Sequence, residues 1–233
     1  MNSVGASGRC RILCAGMAVL LVAGCSSVHR DTEFSEKSDK AFVLLAADGM
    51  PVTGSLGYSF AFQRVDLAKA VALDSYITIS FDGMALGGDE FSKPDDMKSL
   101  VRFGGRAVPA GDYALMGRFD TATYGTFVQN TVNCFSLGAA VFHLEPGRIA
   151  VVAAGNVRAR RPIDAASLPE QIGKVLGGYP KMTAPVTVVP PAGILTFKTG
   201  KSLLGAEICQ IQDGFSFTPR MSQAREVVAS AAP

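Results

Sequence analysis

The chain has 233 residues, 48% of them hydrophobic, and a formal net charge of +2. Arg9 and Arg11 account for the whole excess of basic over acidic side chains, and both lie in the first 24 residues. The remainder is neutral and has no net field to attract nucleic acid, which disfavours a nucleic-acid partner. The roughly 209 residues after Gly24 suffice for one good hydrophobic core, so we predict one domain.

Residues 1–24 have the three parts of an export signal. A basic start is followed by an apolar run from Ile12 to Ala23 and then by small residues. The apolar run has about 12 residues, whereas a bilayer-spanning helix needs roughly 20. We therefore predict a cleaved signal peptide in preference to a permanent transmembrane helix.

The end of this segment, Leu21-Val22-Ala23-Gly24-Cys25, resembles the lipobox of bacterial lipoproteins. The resemblance implies that the Cys25 thiol takes a diacylglycerol and that a peptidase then cuts at Gly24, so that Cys25 becomes the first residue. The alternative is an ordinary secretory signal with an incidental cysteine. In Gram-negative lipoproteins an aspartate after the modified cysteine signals retention in the inner membrane, and Ser26 and Ser27 stand there instead. We therefore expect an anchor in the outer membrane, on its periplasmic face, with the inner membrane as the weaker alternative.

Two cysteines remain once the signal and Cys25 are set aside. Cys134 and Cys209 in an oxidising compartment favour one disulfide, which closes a loop of about 75 residues. The alternative is two separate buried thiols that act as small apolar side chains. A metal site at this pair is disfavoured, because neither a C-x-x-C motif nor a histidine at ligand spacing accompanies it.

The rest of the chain is predicted to be mainly β. Residues 25–40 are polar and are interpreted as a flexible tether, residues 41–219 as the folded domain, and residues 220–233 as a flexible tail. Runs rich in β-branched and aromatic residues alternate with Gly, Pro and Asp, which is typical of an antiparallel β domain. The predicted strands are 41–47, 57–65, 75–81, 112–119, 136–144, 148–154, 186–189 and 194–198.

One short helix interrupts this pattern. Ser167 is a candidate N-cap, Pro169 lies in the first turn, and apolar residues recur at helical spacing before Gly177-Gly178 ends the segment. We expect this helix to cover an end of a sheet. The alternative is an irregular loop.

Three Pro-Gly turns each precede a strand. They are Pro109-Ala110-Gly111, Pro146-Gly147 and Pro191-Ala192-Gly193. With Tyr113 and Ile149 after the first two, the chain resembles small β-sandwich lipoproteins of unknown function from proteobacterial envelopes, and the wider carboxypeptidase-regulatory and transthyretin-like sandwiches. The resemblance covers residues 41–154 and implies an antiparallel β-sandwich and no activity.

No motif for catalysis or for a cofactor stands out, so the sequence predicts a non-enzyme without cofactors or metals. Gly200-Lys201-Ser202 resembles the end of a phosphate-binding loop, but six residues separate Gly193 from Gly200 where four are needed. A serine triad needs a base, and the one histidine of the folded domain is His143, which is more simply a structural residue.

Two charged groups are candidate ligand sites. A Gly-rich stretch carries five carboxylates, which are oxygen ligands suited to calcium but lack an EF-hand pattern, so a solvated loop is the simpler interpretation. These carboxylates are Asp82, Asp89, Glu90, Asp95 and Asp96. Arg158, Arg160 and Arg161 form the densest basic run, and guanidinium groups suit phosphates or carboxylates of envelope glycans and lipids.

Three functional hypotheses follow. The leading one is a lipid-anchored, non-enzymatic interaction or structural module in an envelope assembly with a protein partner. It would be strengthened by an exposed apolar patch or an unprotected sheet edge. The second is a module that binds an envelope glycan or lipid head group through the three arginines. The third is a periplasmic enzyme, which would need distant carboxylates such as Asp82 and Asp112 to meet in a cleft.

Overall fold

A computed structural model describes residues 28–48, 55–73, 76–82, 89–91, 101–124, 127–154, 163, 166–201 and 207–220. Within these ranges the chain is mainly β and has one helix, as predicted. The strands are β1 (Lys40–Asp48), β2 (Ser55–Asp66), β3 (Val71–Ala72), β4 (Ile77–Asp82), β5 (Val101–Pro109), β6 (Gly111–Tyr124), β7 (Phe127–Cys134), β8 (Ala139–Leu144), β9 (Ile149–Ala154), β10 (Val186–Val188), β11 (Gly193–Phe197), β12 (Gly200–Lys201), β13 (Glu207–Ile208) and β14 (Phe215–Pro219), and the helix is α1 (Leu168–Leu176).

The strands form a sandwich of two main sheets. The smaller sheet has the order β10-β9-β1-β5, and the larger has the order β14-β11-β8-β6-β2-β3, with β4 also on β2 and β7 also on β6. The larger sheet is antiparallel throughout, as expected. The smaller sheet is mixed, because β9 runs parallel to both β1 and β10.

Strand β1 is buried on both faces. Val43 and Leu45 pack against the larger sheet, and Phe42 and Leu44 pack on the other side, toward α1. A strand covered on both faces needs a continuous apolar sequence instead of strict alternation. This requirement accounts for the unbroken apolar run of β1.

Helix α1 packs on the outer face of the smaller sheet, not at the end of a sheet as expected. Leu168, Ile172 and Val175 form one apolar stripe that is buried against this face. Burial of each such side chain stabilises the fold by about 1.5–3 kcal/mol. The helix begins after Ser167 and ends before Gly177, as the sequence predicts.

The packed part of the chain starts ahead of the predicted boundary at residue 41. Phe34 is buried, and it forms an isolated parallel bridge with Met182. Its amide donates to the carbonyl of Lys181, and its carbonyl accepts from the amide of Thr183. The polar segment 25–40 is therefore held on the domain at Phe34, and a tether would lie before that residue.

Cys134 and Cys209 form a disulfide with Cα atoms 5.1 Å apart. It joins the end of β7 to the residue that follows β13. Gly117 lies directly under it: a Cβ there would stand 2.8 Å from the Cys209 sulfur and 2.7 Å from the Asn133 carbonyl oxygen. The close approach of the two segments therefore requires glycine at this position.

No helix in the part of the chain that the structure describes is long and apolar enough to cross a membrane.

Candidate functional site

A groove of about 500 Å³ lies where the chain passes from the smaller to the larger sheet. Residues 188–192 and Ala150 supply the apolar part of its lining. Residues 189–192 connect β10 in one sheet to β11 in the other. Its volume lies within the roughly 300–1,000 Å³ that is usual for ligand sites.

One wall of the groove is the edge strand β10. Among the described strands it is the last one of the smaller sheet, and all three of its residues are exposed. Val186 is 44% exposed and Val188 is 41% exposed, although both are large apolar residues. An exposed apolar edge strand is a template for pairing with another chain.

The backbone of β10 offers hydrogen-bonding groups at this edge. The Ile149 amide donates to the Pro185 carbonyl, and the Val189 amide donates to the Val151 carbonyl, each at 2.9 Å. Residues 185 and 189 therefore face β9. Because consecutive residues of a strand face opposite neighbours, the backbone groups of Val186 and Val188 point away from β9, toward the open edge.

The polar side of the groove carries two pairs of side chains in close polar contact. His143 Nδ1 and Asp112 Oδ1 lie 2.8 Å apart, on residues that face each other in the β6–β8 ladder. Arg148 Nε and Glu145 Oε2 lie 2.6 Å apart across the turn between β8 and β9. His143, Glu145 and Arg148 all line the groove together with Thr187. The groove therefore has an imidazole, a carboxylate and a guanidinium beside its apolar lining, and each of them is engaged with a neighbouring side chain.

The His143–Asp112 pair resembles the histidine and the orienting carboxylate of a catalytic triad. A carboxylate on one ring nitrogen fixes an imidazole, but catalysis needs a nucleophile on the other nitrogen. Among the described residues, Asp112 is the only side chain that hydrogen-bonds to His143. Within the described residues the pair is therefore an oriented polar contact without a nucleophile. Asp112 is one of the two carboxylates named as an example for the enzyme hypothesis; the side chain of the other, Asp82, lies outside the described residues.

A second cluster, of buried charges, occupies the core. The register of β2 and β6 shifts between Ala61 and Phe62, which leaves Met116 as an extra residue in β6. This bulge turns Arg118 and Asp120 inward, beside Phe60 and Tyr58. Two guanidinium nitrogens of Arg118 donate to Asp120 Oδ1 at 2.9 and 2.6 Å.

Tyr58 lies at the centre of this cluster. The Arg118 guanidinium carbon is 4.3 Å from its ring centroid, within the range of a cation–π contact. Burial raises the pKa of Tyr58 to about 12, against the opposing effect of Arg102 and Arg118. Arg102 in turn donates from two nitrogens to the Glu90 carboxylate. Since each of these arginines has a carboxylate partner, we assign the cluster a structural role.

Of the predicted acidic loop, the structure describes the side chains of Asp89 and Glu90, and both contact neighbouring residues, which differs from the solvated loop that the sequence favoured. Asp89 is buried, accepts the Ser80 amide at 3.1 Å, and lies 3.7 Å from Arg106. Glu90 binds Arg102. Asp95 and Asp96 are outside the described residues. Within the described ranges no three side chains are grouped so as to hold a metal ion.

The remaining predicted site residues have different outcomes. Gly24, Cys25, Arg158, Arg160 and Arg161 lie outside the described residues, so their placement stays a prediction. Gly200 and Lys201, which resemble the end of a phosphate-binding loop in sequence, form strand β12 opposite Ile208 and Glu207.

The sequence did not identify either the groove or the buried cluster. The groove combines β8, β9, β10 and the 189–192 connection, and no local pattern brings these segments together. The spacing of Arg118 and Asp120 in an apolar strand was a signal for the cluster, but their inward direction depends on the bulge at Met116. No protein family, no curated protein and no solved structure matches this chain.

Proposed function

We propose that this protein is a lipid-anchored lipoprotein of the bacterial outer membrane and a non-enzymatic module that binds a partner protein at β10. The observation that carries the proposal is the exposed edge of β10, where Val186 and Val188 are exposed and Thr187 and Val188 line the groove. An extended segment of a partner adds a strand to such an edge, and its side chains enter the adjacent groove.

The chemistry of the groove suits a peptide better than a highly charged ligand. Backbone groups of Val186 and Val188 supply hydrogen bonds along the edge, and the apolar lining supplies contact area. The polar side chains that border the groove are already paired, His143 with Asp112 and Arg148 with Glu145. Main-chain hydrogen bonds then provide affinity, and the groove provides specificity.

The predicted anchor at Cys25 would lie close in space to the groove. Phe34 fixes the N-terminal segment at Met182, and β10 begins at Val186 shortly afterwards. Even when fully extended, the chain from Cys25 to Phe34 spans at most roughly 30 Å. A lipid on Cys25 would therefore hold the groove near the membrane surface, where an envelope assembly presents its segments.

A photo-crosslinking amino acid at Val188 tests the proposal in intact cells. Val71 is the matched control, since it is also a valine of an edge strand, β3, and is also 41% exposed. We expect one defined protein adduct from position 188 that position 71 does not give, and that is lost when Cys25→Ala removes the anchor. The same adduct from both positions, or none from position 188, would overturn the proposal.

The same experiment addresses the alternative ligands. A module for a glycan or a lipid head group depends on Arg158, Arg160 and Arg161, and it would give adducts of glycan or lipid without protein. That result would replace the protein partner with the second hypothesis.

A further inference from the structure

A second groove lies on the face of the larger sheet that β1 does not cover. Its volume is about 560 Å³, and it lies between β3 and the segment 210–214. We call it the glutamine groove, because Gln63, Gln210 and Gln212 line it together with apolar residues such as Val71 and Leu73. None of the described residues that line it is charged. Its chemistry therefore suits a neutral ligand better than a phosphate or a carboxylate.

Gln63 fixes one wall of the glutamine groove. It is 1% exposed, and its Oε1 accepts the Ile211 amide at 3.0 Å. Ile211 is also buried, in the apolar cluster on this face of the sheet. The segment is thus held on the sheet at Ile211, and its neighbours on either side, Gln210 and Gln212, are the residues that line the groove.

The side chains of Gln210 and Gln212 are available to a ligand. Gln212 is exposed and Gln210 is half-buried. The Gln212 amide lies directly over Gly200, where a Cβ would collide with it, so the position of this amide depends on glycine. A side-chain amide has an acceptor oxygen and two N–H donors, and a hydroxyl group also donates and accepts. A pair of fixed amides is therefore complementary to a ligand that carries several hydroxyl groups.

An exposed aromatic ring lies on the same face. Phe62 and Ile77 pair and pack between the sheets, so Gln63, the residue after Phe62, faces outward. Tyr76 directly precedes Ile77, and its ring stacks on Phe119, which packs with the outer cluster, at a centroid distance of 6.4 Å. Tyr76 nevertheless remains 41% exposed. The negative face of such a ring attracts the slightly positive C–H groups on the face of a sugar ring.

We propose that the glutamine groove binds a neutral saccharide. Its hydroxyl groups bond to the amides of Gln210 and Gln212, and one of its sugar rings packs on Tyr76. Val71 and Leu73, 41% and 47% exposed, provide apolar contact for its C–H groups. The site is separate from the groove beside β10, because β3 and β11 lie at opposite ends of the larger sheet among the described strands. The domain could thus hold a glycan while β10 binds a partner protein.

Titration calorimetry of the full chain in detergent tests binding directly. The probes are two neutral tetrasaccharides: chitotetraose, which has N-acetyl groups, and cellotetraose, which has hydroxyl groups alone. We expect saturable binding of at least one of them. If neither binds at millimolar concentration, the proposal is overturned.

Variants of the groove test where the saccharide binds. Gln210→Ala/Gln212→Ala removes two hydrogen-bonding side chains and should weaken binding about tenfold or more. Tyr76→Ala should also weaken it several-fold. Gln129→Ala is the matched control, since Gln129 is an exposed glutamine of β7 in the same sheet, and it should leave the affinity unchanged. Equal affinities of the native protein and the groove variants, all with native urea midpoints, would overturn the proposal.

A photo-crosslinking amino acid at Leu73 in intact cells identifies the natural occupant. We expect a glycan adduct, and the yield should fall in the Gln210→Ala/Gln212→Ala background. A defined protein adduct without glycan would overturn the proposal in favour of a peptide ligand. Because this experiment uses Leu73 and the test of β10 uses Val188, either proposal can fail while the other stands.

Discussion

Arg118 binds Asp120 two residues further along the same strand, and both side chains are buried between the sheets, 6% and 7% exposed. The β-bulge at Met116 allows this contact, because it turns the side chains of both residues to the inner face of β6. An ion pair in such a place adds little net stability, but removal of one partner leaves an uncompensated charge in the core.

Asp120→Leu is therefore expected to lower the free energy of unfolding by about 3–5 kcal/mol. The double variant Arg118→Met/Asp120→Leu replaces the pair with apolar side chains and should recover most of this loss. Urea unfolding of the three proteins measures both effects. A double variant as unstable as Asp120→Leu alone would show that the packing of these chains, and not the charge of Arg118, determines the cost.

The raised pKa of Tyr58 makes stability depend on pH in the alkaline range. The pKa is 10.0 in the unfolded chain and about 12 in the folded one, so the folded state holds the proton more tightly. This contribution is fully present below pH 10 and is lost as the pH rises from 10 to 12. At about 1.4 kcal/mol per pKa unit, the loss reaches about 3 kcal/mol.

Comparison with Tyr58→Phe isolates this effect from the titration of lysines, which both proteins share. The difference in unfolding free energy between the two proteins should be constant up to pH 10. Above pH 10 the free energy of unfolding of the native protein should fall relative to that of Tyr58→Phe. Two parallel pH profiles from pH 9 to pH 12 would contradict a role for the Tyr58 hydroxyl.

The sequence predicted the strands that carry a periodic apolar signal and missed those that do not. Strand β5 was missed because Gly104 and Gly105 interrupt it. Both glycines are required by neighbours: a Cβ on Gly104 would lie 2.9 Å from Ile79 Cγ2, and one on Gly105 would lie 2.5 Å from the Val43 carbonyl oxygen. A residue that resembles a strand breaker in sequence therefore marks close packing of strands in space.

The candidate site was less accessible to sequence reasoning than the fold. The valines of β10 were predicted to form a strand, but their exposure depends on β10 being the last strand of the smaller sheet. That position follows from the parallel pairing of β9 and β10, which joins segments separated by α1. Local patterns specify strands, whereas the order of strands in a sheet depends on contacts distant in sequence.

The disulfide is expected to stabilise the domain by holding the segment after β13 against β7. Cys209 and Ile211 belong to the apolar cluster on the face of the larger sheet that β1 does not cover. The double variant Cys134→Ser/Cys209→Ser should lose about 2–5 kcal/mol of unfolding free energy. Reductant should lower the urea concentration at the unfolding midpoint of the native protein and should leave the midpoint of the double variant unchanged. An equal effect of reductant on both would show that the bridge does not contribute.

Phe34 is expected to be part of the folded domain in spite of its polar surroundings in sequence. It contacts Phe42 edge-to-face at a centroid distance of 5.4 Å and packs with the cluster beneath α1. Phe34→Ala should therefore lower the free energy of unfolding by about 3–5 kcal/mol. Lys37→Ala, an exposed change three residues further on, should alter it by less than about 0.5 kcal/mol. Equal small effects would mean that the segment does not contribute to the fold.

Cys25 is expected to carry the lipid anchor, and its replacement should release the domain from the membrane without unfolding it. The reason is that several acyl chains hold a protein stably, at about 0.8 kcal/mol for each buried methylene group. Membranes from cells that express the native chain should contain the protein, and mass spectrometry of its N-terminal peptide should show an acylated Cys25. Cys25→Ala should move the protein out of the outer-membrane fraction, while Ser26→Ala serves as a matched control that should leave it there. Retention of the Cys25→Ala protein in the outer membrane would show that another contact anchors it, and a lipid on Cys25 would then not be what holds the β10 groove near the membrane.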